Sequence, residues 1–190
     1  MINRRAFLQT TAVILSTPAL PAALALDARG TRLIVQAGCE SGMRFNRALS
    51  RRAEHVAEDA MDVIADISVG LETPDFGTCL GLTRAPVAML VTHALAERGF
   101  AVHYRGEHRL LDRRWQHVLS GDGQLLQRLE GIMAGSRDHW ATGLGKSAVI
   151  MAGSVPGHAD LATCTPARAG HEPFHELVSF CLRRVPGFLA

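Results

Sequence analysis

Residues 26–190 are predicted to form one α/β domain of three layers, with a largely parallel sheet and a C-terminal helix. Short β-branched, apolar runs alternate with segments whose apolar residues recur every three or four positions. The order is strand, helix, strand, strand, helix, strand, the alternation of sheets whose crossovers are helices. Glycines and prolines stand where the period changes. The length suits one compact unit.

Thr31–Gln36 reads TRLIVQ and is followed by Gly38, the pattern of a first strand. Phe45, Leu49, Ala53, Val56 and Ala60 then recur at helical spacing. Arg47, Arg51, Arg52, Glu54 and Glu58 lie between them, which predicts one apolar stripe on a solvated helix. Residues 62–68 (DVIADIS) predict a second strand, 70–77 a loop holding Pro74, and Thr78–Thr83 a third strand. Pro86 suits a first helical turn, and Val87, Leu90, Val91, Ala94 and Leu95 form the stripe that Gly99 ends. Residues 100–104 predict a fourth strand and 115–119 a fifth. Asp122 can cap a helix with Leu125, Leu126, Leu129, Ile132 and Met133 inside. Residues 147–152 are either the end of a helix starting near Trp140 or a short buried strand. Residues 163–170 read as loop, and the chain from Pro173 onward as the terminal helix.

The first 25 residues follow a different pattern. Arg4 and Arg5 precede Phe7 and Leu8, a weakly apolar run reaches Leu20, and Pro21 breaks it before Ala23-Leu24-Ala25. A positive start, a short apolar stretch and a small-x-small end make a cleavable export signal. The paired arginines with Phe7 and Leu8 behind them resemble the twin-arginine (Tat) signal, although Asn3 and Gln9 replace two members of the usual pattern. That resemblance implies recognition by the Tat machinery, cleavage by signal peptidase after Ala25, and delivery to the periplasm already folded. Passengers of that route often acquire a cofactor beforehand, fold too quickly for the Sec route or travel with a signal-bearing partner. The resemblance therefore favours a bound cofactor or a co-exported subunit without naming one. The apolar run is too short for a membrane-spanning helix, and no later segment supplies one.

Removing residues 1–25 takes two of 20 basic residues and none of 18 acidic ones, so the remainder is neutral. A neutral chain has no electrostatic footprint for nucleic acid or an anionic membrane. Cys39, Cys79, Cys164 and Cys181 form no CxxC or CxxCH, so a redox dithiol or covalent c-type haem has no support. An oxidising destination permits a disulfide among them; otherwise they are small buried hydrophobes.

Several motifs approach a chemistry without completing it. His171-Glu172-Pro173-Phe174-His175 has the letters of a zinc-protease HExxH, but Pro173 opposes one continuous helix through both histidines. Glu172 then reads as an N-cap with Pro173 opening the terminal helix. His158, His171 and His175 remain candidate metal ligands. Gly145-Lys146-Ser147 ends like a phosphate loop, yet Trp140 stands where the first glycine belongs. The turn Ala37-Gly38-Cys39-Glu40-Ser41-Gly42 lacks the glycine a nucleophile elbow needs.

That turn nevertheless follows a strand, and open sheets receive ligands at the carboxyl ends of their parallel strands. The same rule directs attention to Asp66, to Arg84, and to the run from His103 to Arg109. Glu40, Ser41, Arg84 and Glu107 are therefore candidate ligand contacts, and Cys39, Asp66, Arg105 and His108 candidate catalytic groups. The run 103–109 reads first as an edge strand entering a hairpin with its charges in water. The leading expectation is an exported protein without its own catalytic centre that binds a small ligand or serves as an accessory subunit. A hydrolase and a metal protein are the alternatives.

Overall fold

The computed structural model describes residues 30–49, 55–57, 77–136, 139–153, 157–166 and 172–187. Their elements are β1 (Thr31–Gln36), α1 (Glu40–Ala48), β2 (His55–Ala57), β3 (Thr78–Thr83) and α2 (Ala85–Ala96). They continue as β4 (Phe100–Leu111), β5 (Arg114–Gly121), α3 (Gly123–Gly135), α4 (Trp140–Lys146) and α5 (Ala148–Gly153). β6 (Ala159–Pro166) and β7 (Glu176–Arg184) complete the set. Candidate positions 1–25, Asp66 and His171, together with the strand expected at 62–68, lie outside the described residues.

The expected largely parallel sheet is not what forms. Seven strands make one mixed sheet in the order β2-β1-β3-β7-β4-β5-β6. β1 pairs parallel with β2 and β3, and the four remaining pairings, β3·β7, β7·β4, β4·β5 and β5·β6, are antiparallel. The reason lies in the C-terminal segment, which is a central strand and not the expected terminal helix. Leu177 to Leu182 are all buried because both faces of β7 are covered. A strand buried on two sides loses its alternation and reads as a continuous apolar run, which periodicity cannot separate from a buried helix. Glu172 accordingly caps no helix of its own segment.

Two further expectations are corrected. The apolar stripe through Ala60 predicts a long helix, but α1 ends at Ala48 and Leu49 turns extended. His55–Ala57 then pairs with the free edge of β1. Part of the expected loop at 163–170 is the second half of β6. The helices at 85–96 and 123–135 form as the patterns indicate, and Asp122 accepts from the Leu125 N–H at 3.0 Å as a side-chain cap. Between 140 and 153 the chain is helical throughout its two short elements. No helix among the described residues is long and apolar enough to cross a membrane.

Alternation distributes the sheet into two cores. Leu33, Val35, Leu80, Leu82, Tyr104, Trp115, Leu119, Leu177 and Cys181 face α1, α3, α4 and α5. Ile34, Cys79, Val178, Phe180 and Leu182 face the apolar side of α2, formed by Val87, Ala88, Val91 and Leu95. Gly81 lies directly across from Phe180, and a β-carbon there would collide with the Phe180 ring. On the first face α4 wedges between α1 and α3. A β-carbon on Gly145 would stand 2.5 Å from the Phe45 carbonyl oxygen, so this glycine of the phosphate-loop-like letters sets helix spacing. Cys39, Cys79, Cys164 and Cys181 are all free thiols, so the disulfide permitted by the sequence does not form.

β4 and β5 are joined by a two-residue turn, Asp112-Arg113, with both residues at positive φ, 48° and 60°. That handedness matches the twist of the strands it joins but is unfavourable for arginine. Replacing Arg113 by glycine is expected to stabilise the fold by about 0.5–1 kcal/mol, read from the denaturation midpoint. A loss of stability in Arg113→Gly counts against this account of the turn.

Candidate functional site

Two groups of polar side chains meet beneath and beside α4. The first gathers at the carboxyl ends of β1 and β3. Cys39 is the N-cap of α1, its sulfur accepting from the Gly42 N–H at 3.3 Å. Burial pushes its thiol up to about 11, against the lowering effect of that N–H. It therefore rests as a thiol and not as a nucleophilic thiolate. Ser41, in the first turn of α1, donates its N–H to Glu172 Oε1 at 2.7 Å, and its hydroxyl bonds the same oxygen. A carboxylate from far along the chain thus occupies the positive end of α1. His139 caps α4 by accepting from the Ala141 N–H through Nδ1, which places its ring proton on Nε2, 3.8 Å from Glu172 Oε1.

Arg84, the N-cap of α2 directly after β3, joins this group. Its backbone N–H donates to Gln36 Oε1 at 3.4 Å, and its guanidinium lies 5.2 Å from the centre of the Phe174 ring. Arg84 Nε is buried with no hydrogen-bond partner among the described residues. Ser41 and Arg84 are thus tied to one short segment, residues 172–174. Glu40 lies alongside, paired with Arg44 one helical turn on.

The second group is a buried chain of five side chains crossing four strands. Tyr104 Oη lies 2.9 Å from Ser179 Oγ, and Ser179 Oγ 2.7 Å from His108 Nε2. His108 Nδ1 faces His117 Nδ1 at 2.8 Å, and His117 Nε2 lies 3.1 Å from Thr165 Oγ1. Register puts them there: His108 is directly opposite His117, and Ser179 opposite Gly106. A β-carbon on Gly106 would lie 2.5 Å from Tyr104 Oη, 2.6 Å from Ser179 Oγ and 3.0 Å from His108 Nε2. The bare glycine is the space in which three polar atoms meet. Trp140 closes the roof, its ring stacked on His108 at 4.3 Å between centroids.

The arrangement is fully satisfied with both rings neutral. If His108 donates from Nδ1, its Nε2 must accept from Ser179, whose oxygen then accepts from Tyr104, and His117 donates from Nε2 to Thr165. The fully reversed direction also satisfies the chain between Ser179 and Thr165. Protonating both rings leaves two N–H groups facing each other across the 2.8 Å contact. Burial, reinforced by the neighbouring His117, holds His108 well below its ordinary 6.5. Burial and then His139 lower His117 to about 4.

The remaining candidates are dispersed. Strand alternation sends Arg105, Glu107 and Arg109 to the face opposite His108, where Glu107 pairs with Arg105 and Arg109, each at 3.3 Å. β4 is an interior strand of the sheet and not the edge the sequence implies. His158 precedes β6 at the end of the sheet near Tyr104, whereas His175 precedes β7 at the other end, beside Leu110. Both are exposed, and no three metal-binding side chains converge among the described residues. Tyr104, His117, Thr165 and Ser179 were not singled out by sequence reasoning. Their signal is the Asp112-Arg113 turn, which dictates that His108 face His117. Comparisons with protein family models, curated proteins and solved structures find no match.

Two outcomes follow from the buried chain. Gly106→Ala is expected to lower stability by about 1–3 kcal/mol through overpacking, measured by denaturant unfolding. An unchanged midpoint contradicts the tight meeting point. The second concerns pH. Unfolded, both histidines titrate near 6.5, so the unfolded state binds more protons below that value. Stability is therefore complete above pH 6.5 and declines as the pH falls toward 4, with a slope approaching two protons that drops to about one in His117→Gln. A flat profile between pH 6.5 and 5 removes the neutral-pair assignment.

Proposed function

We propose that this chain is exported folded through the twin-arginine route and acts there as a binding or accessory subunit without its own catalytic centre. Its ligand end is the cluster at the carboxyl ends of β1 and β3, and the group received carries negative charge. The observation that carries this reading is the convergence of Ser41 and Arg84 on residues 172–174, with Arg84 Nε buried and unpartnered among the described residues. A planar guanidinium with a donor to spare suits a carboxylate or phosphate. The position agrees with the general place of ligands in sheets with parallel strands. Export rests on Arg4, Arg5, Phe7, Leu8 and the Ala23-Leu24-Ala25 end.

One observation favours a hydrolase as the second reading. Ser179, His108 and His117 have the spacing of a nucleophile, a base and a group orienting that base. Against it, Ser179 is 1% exposed and His108 0%, so a substrate reaches neither without displacing Trp140.

The wild type is expected in the periplasm, trimmed after Ala25, while the double variant Arg4→Lys, Arg5→Lys stays in the cytoplasm. Equal export of both overturns the route. Protein isolated from the native periplasm is expected to retain a stoichiometric small molecule or subunit, seen by native mass spectrometry and released in Arg84→Ala with unchanged circular dichroism. Ester hydrolysis by the wild type that vanishes in both Ser179→Ala and His108→Ala replaces the binding reading with the catalytic one.

A further inference from the structure

The sheet ends on one side at β6, whose outer edge is unpaired among the described residues. An open edge presents a row of backbone donors and acceptors, and proteins that remain monomeric guard such edges with lysines, bulges or covering segments. β6 has few of these devices. Its register against β5 runs unbroken from Ala159 to Pro166, its one charged residue is Asp160, and its proline stands at the end. Asp160, Ala162 and Cys164 are exposed, and Val118, the β5 neighbour of Ala162 on the same face, is 47% exposed.

We infer that the β6 edge is a two-fold interface with a second copy of this chain, the two β6 strands pairing antiparallel about Thr163. Residues directly opposite in an antiparallel pair share a face, so a two-fold axis must pass through a residue position. Centring it on Thr163 overlaps the strands from Asp160 to the partner's Pro166. That match is as long as an axis on Ala162 gives and longer than one on Cys164, and the facing residues and charges favour Thr163. Ala162 then faces the partner's Cys164, extending the apolar row that begins at Val118. On the other face half-buried Leu161 comes opposite the partner's Thr165, next to the partner's Trp115. The charges also match. Asp160 comes opposite the partner's Pro166, whose next neighbour across the sheet is the partner's Arg114, and the symmetry makes this contact twice. The same patch serves both subunits, as a closed two-fold dimer requires.

Sedimentation equilibrium of the full chain under reducing conditions is expected to show a dimer. The arrangement puts the two Cys164 residues diagonally across the joint, about 7–8 Å apart. A bis-maleimide of that span is expected to link them, since Cys39, Cys79 and Cys181 are buried. Asp160→Arg is expected to weaken dimerisation about fivefold, and adding Arg114→Asp to restore it. Ala162→Lys, a change at an exposed position, is expected to give a monomer with an unaltered far-UV circular dichroism spectrum. A monomeric wild type, a dimer unaffected by Ala162→Lys, or a dimer in which Cys164 never cross-links each overturns the inference. If Ala162→Lys changes the spectrum, the charge-swap pair decides: no rescue by Arg114→Asp also overturns it.

Discussion

Everything in this fold depends on β7 lying between β3 and β4. On one side it pairs antiparallel with the last of the parallel strands, and on the other with the first strand of an antiparallel meander. Without it, β2-β1-β3 and β4-β5-β6 are separate fragments whose facing edges carry open backbone groups. Its odd residues contribute to the core under α1, α3, α4 and α5, and its even ones to the core under α2. The same strand supplies Ser179 to the buried chain. Its approach segment, residues 172–174, brings Glu172 to α1 and Phe174 to Arg84. One central strand therefore sets both the architecture and the two polar groups.

The buried chain shows how polarity can be kept in a core without charge. Two imidazoles facing each other through Nδ1 share one proton, so the direction of one hydrogen bond fixes the tautomer of both rings and the rotors of Ser179 and Thr165. Such a chain is satisfied only as a whole. Removing one member strands its neighbours in a site of low dielectric, where an unmet donor or acceptor costs about 1–3 kcal/mol. That all-or-none quality favours a single register of β4 against β5 and β7, because a one-residue slip would turn His108 to the other face. The depressed basicity of both histidines is a consequence of that burial. On this geometry the pair serves the definition of the core.

The parts legible in sequence are those where one local rule dominates. Asp122 before an amphipathic run, Pro86 opening α2 and the β-branched run of β1 each depend on nearest neighbours alone. What was not legible depends on the other side of the sheet. Leu177 to Leu182 are apolar except for Ser179 and show no period because two layers cover them, and only the tertiary partner distinguishes strand from helix. The stripe through Ala53, Val56 and Ala60 fits helical spacing, yet β1 had an open edge, and His55–Ala57 pairs with it. The run 103–109 was visible as a dense polar cluster, but its division into water-facing Arg105, Glu107 and Arg109 and core-facing Tyr104 and His108 requires the strand's alternation. The turn at Asp112-Arg113 lacks the glycine that marks most such hairpins, and the opposition of His108 and His117 was hidden with it. The strand-end rule picks out Ser41 and Arg84 as candidates, while Glu172, which ties Ser41 to the approach of β7, reads in sequence as a cap for a helix that does not form.

The same topology bears on the proposed route of export. Leu80 pairs with Cys181, and Val102 with Leu182, so the middle of the sheet closes only after residues 176–184 have been made. Until then the apolar edges of β3 and β4 stay open, and pairings so distant in sequence form slowly because the chain between them must first be ordered. A chain delivered unfolded would meet this difficulty on the far side of the membrane, with open edges and four thiols exposed to oxidants before Cys39, Cys79 and Cys181 could be buried. Completing the sheet first seals three of those thiols in the core and leaves Cys164 alone at the surface. A route that carries a finished globule would remove both hazards, which is a physical argument in favour of the proposed export.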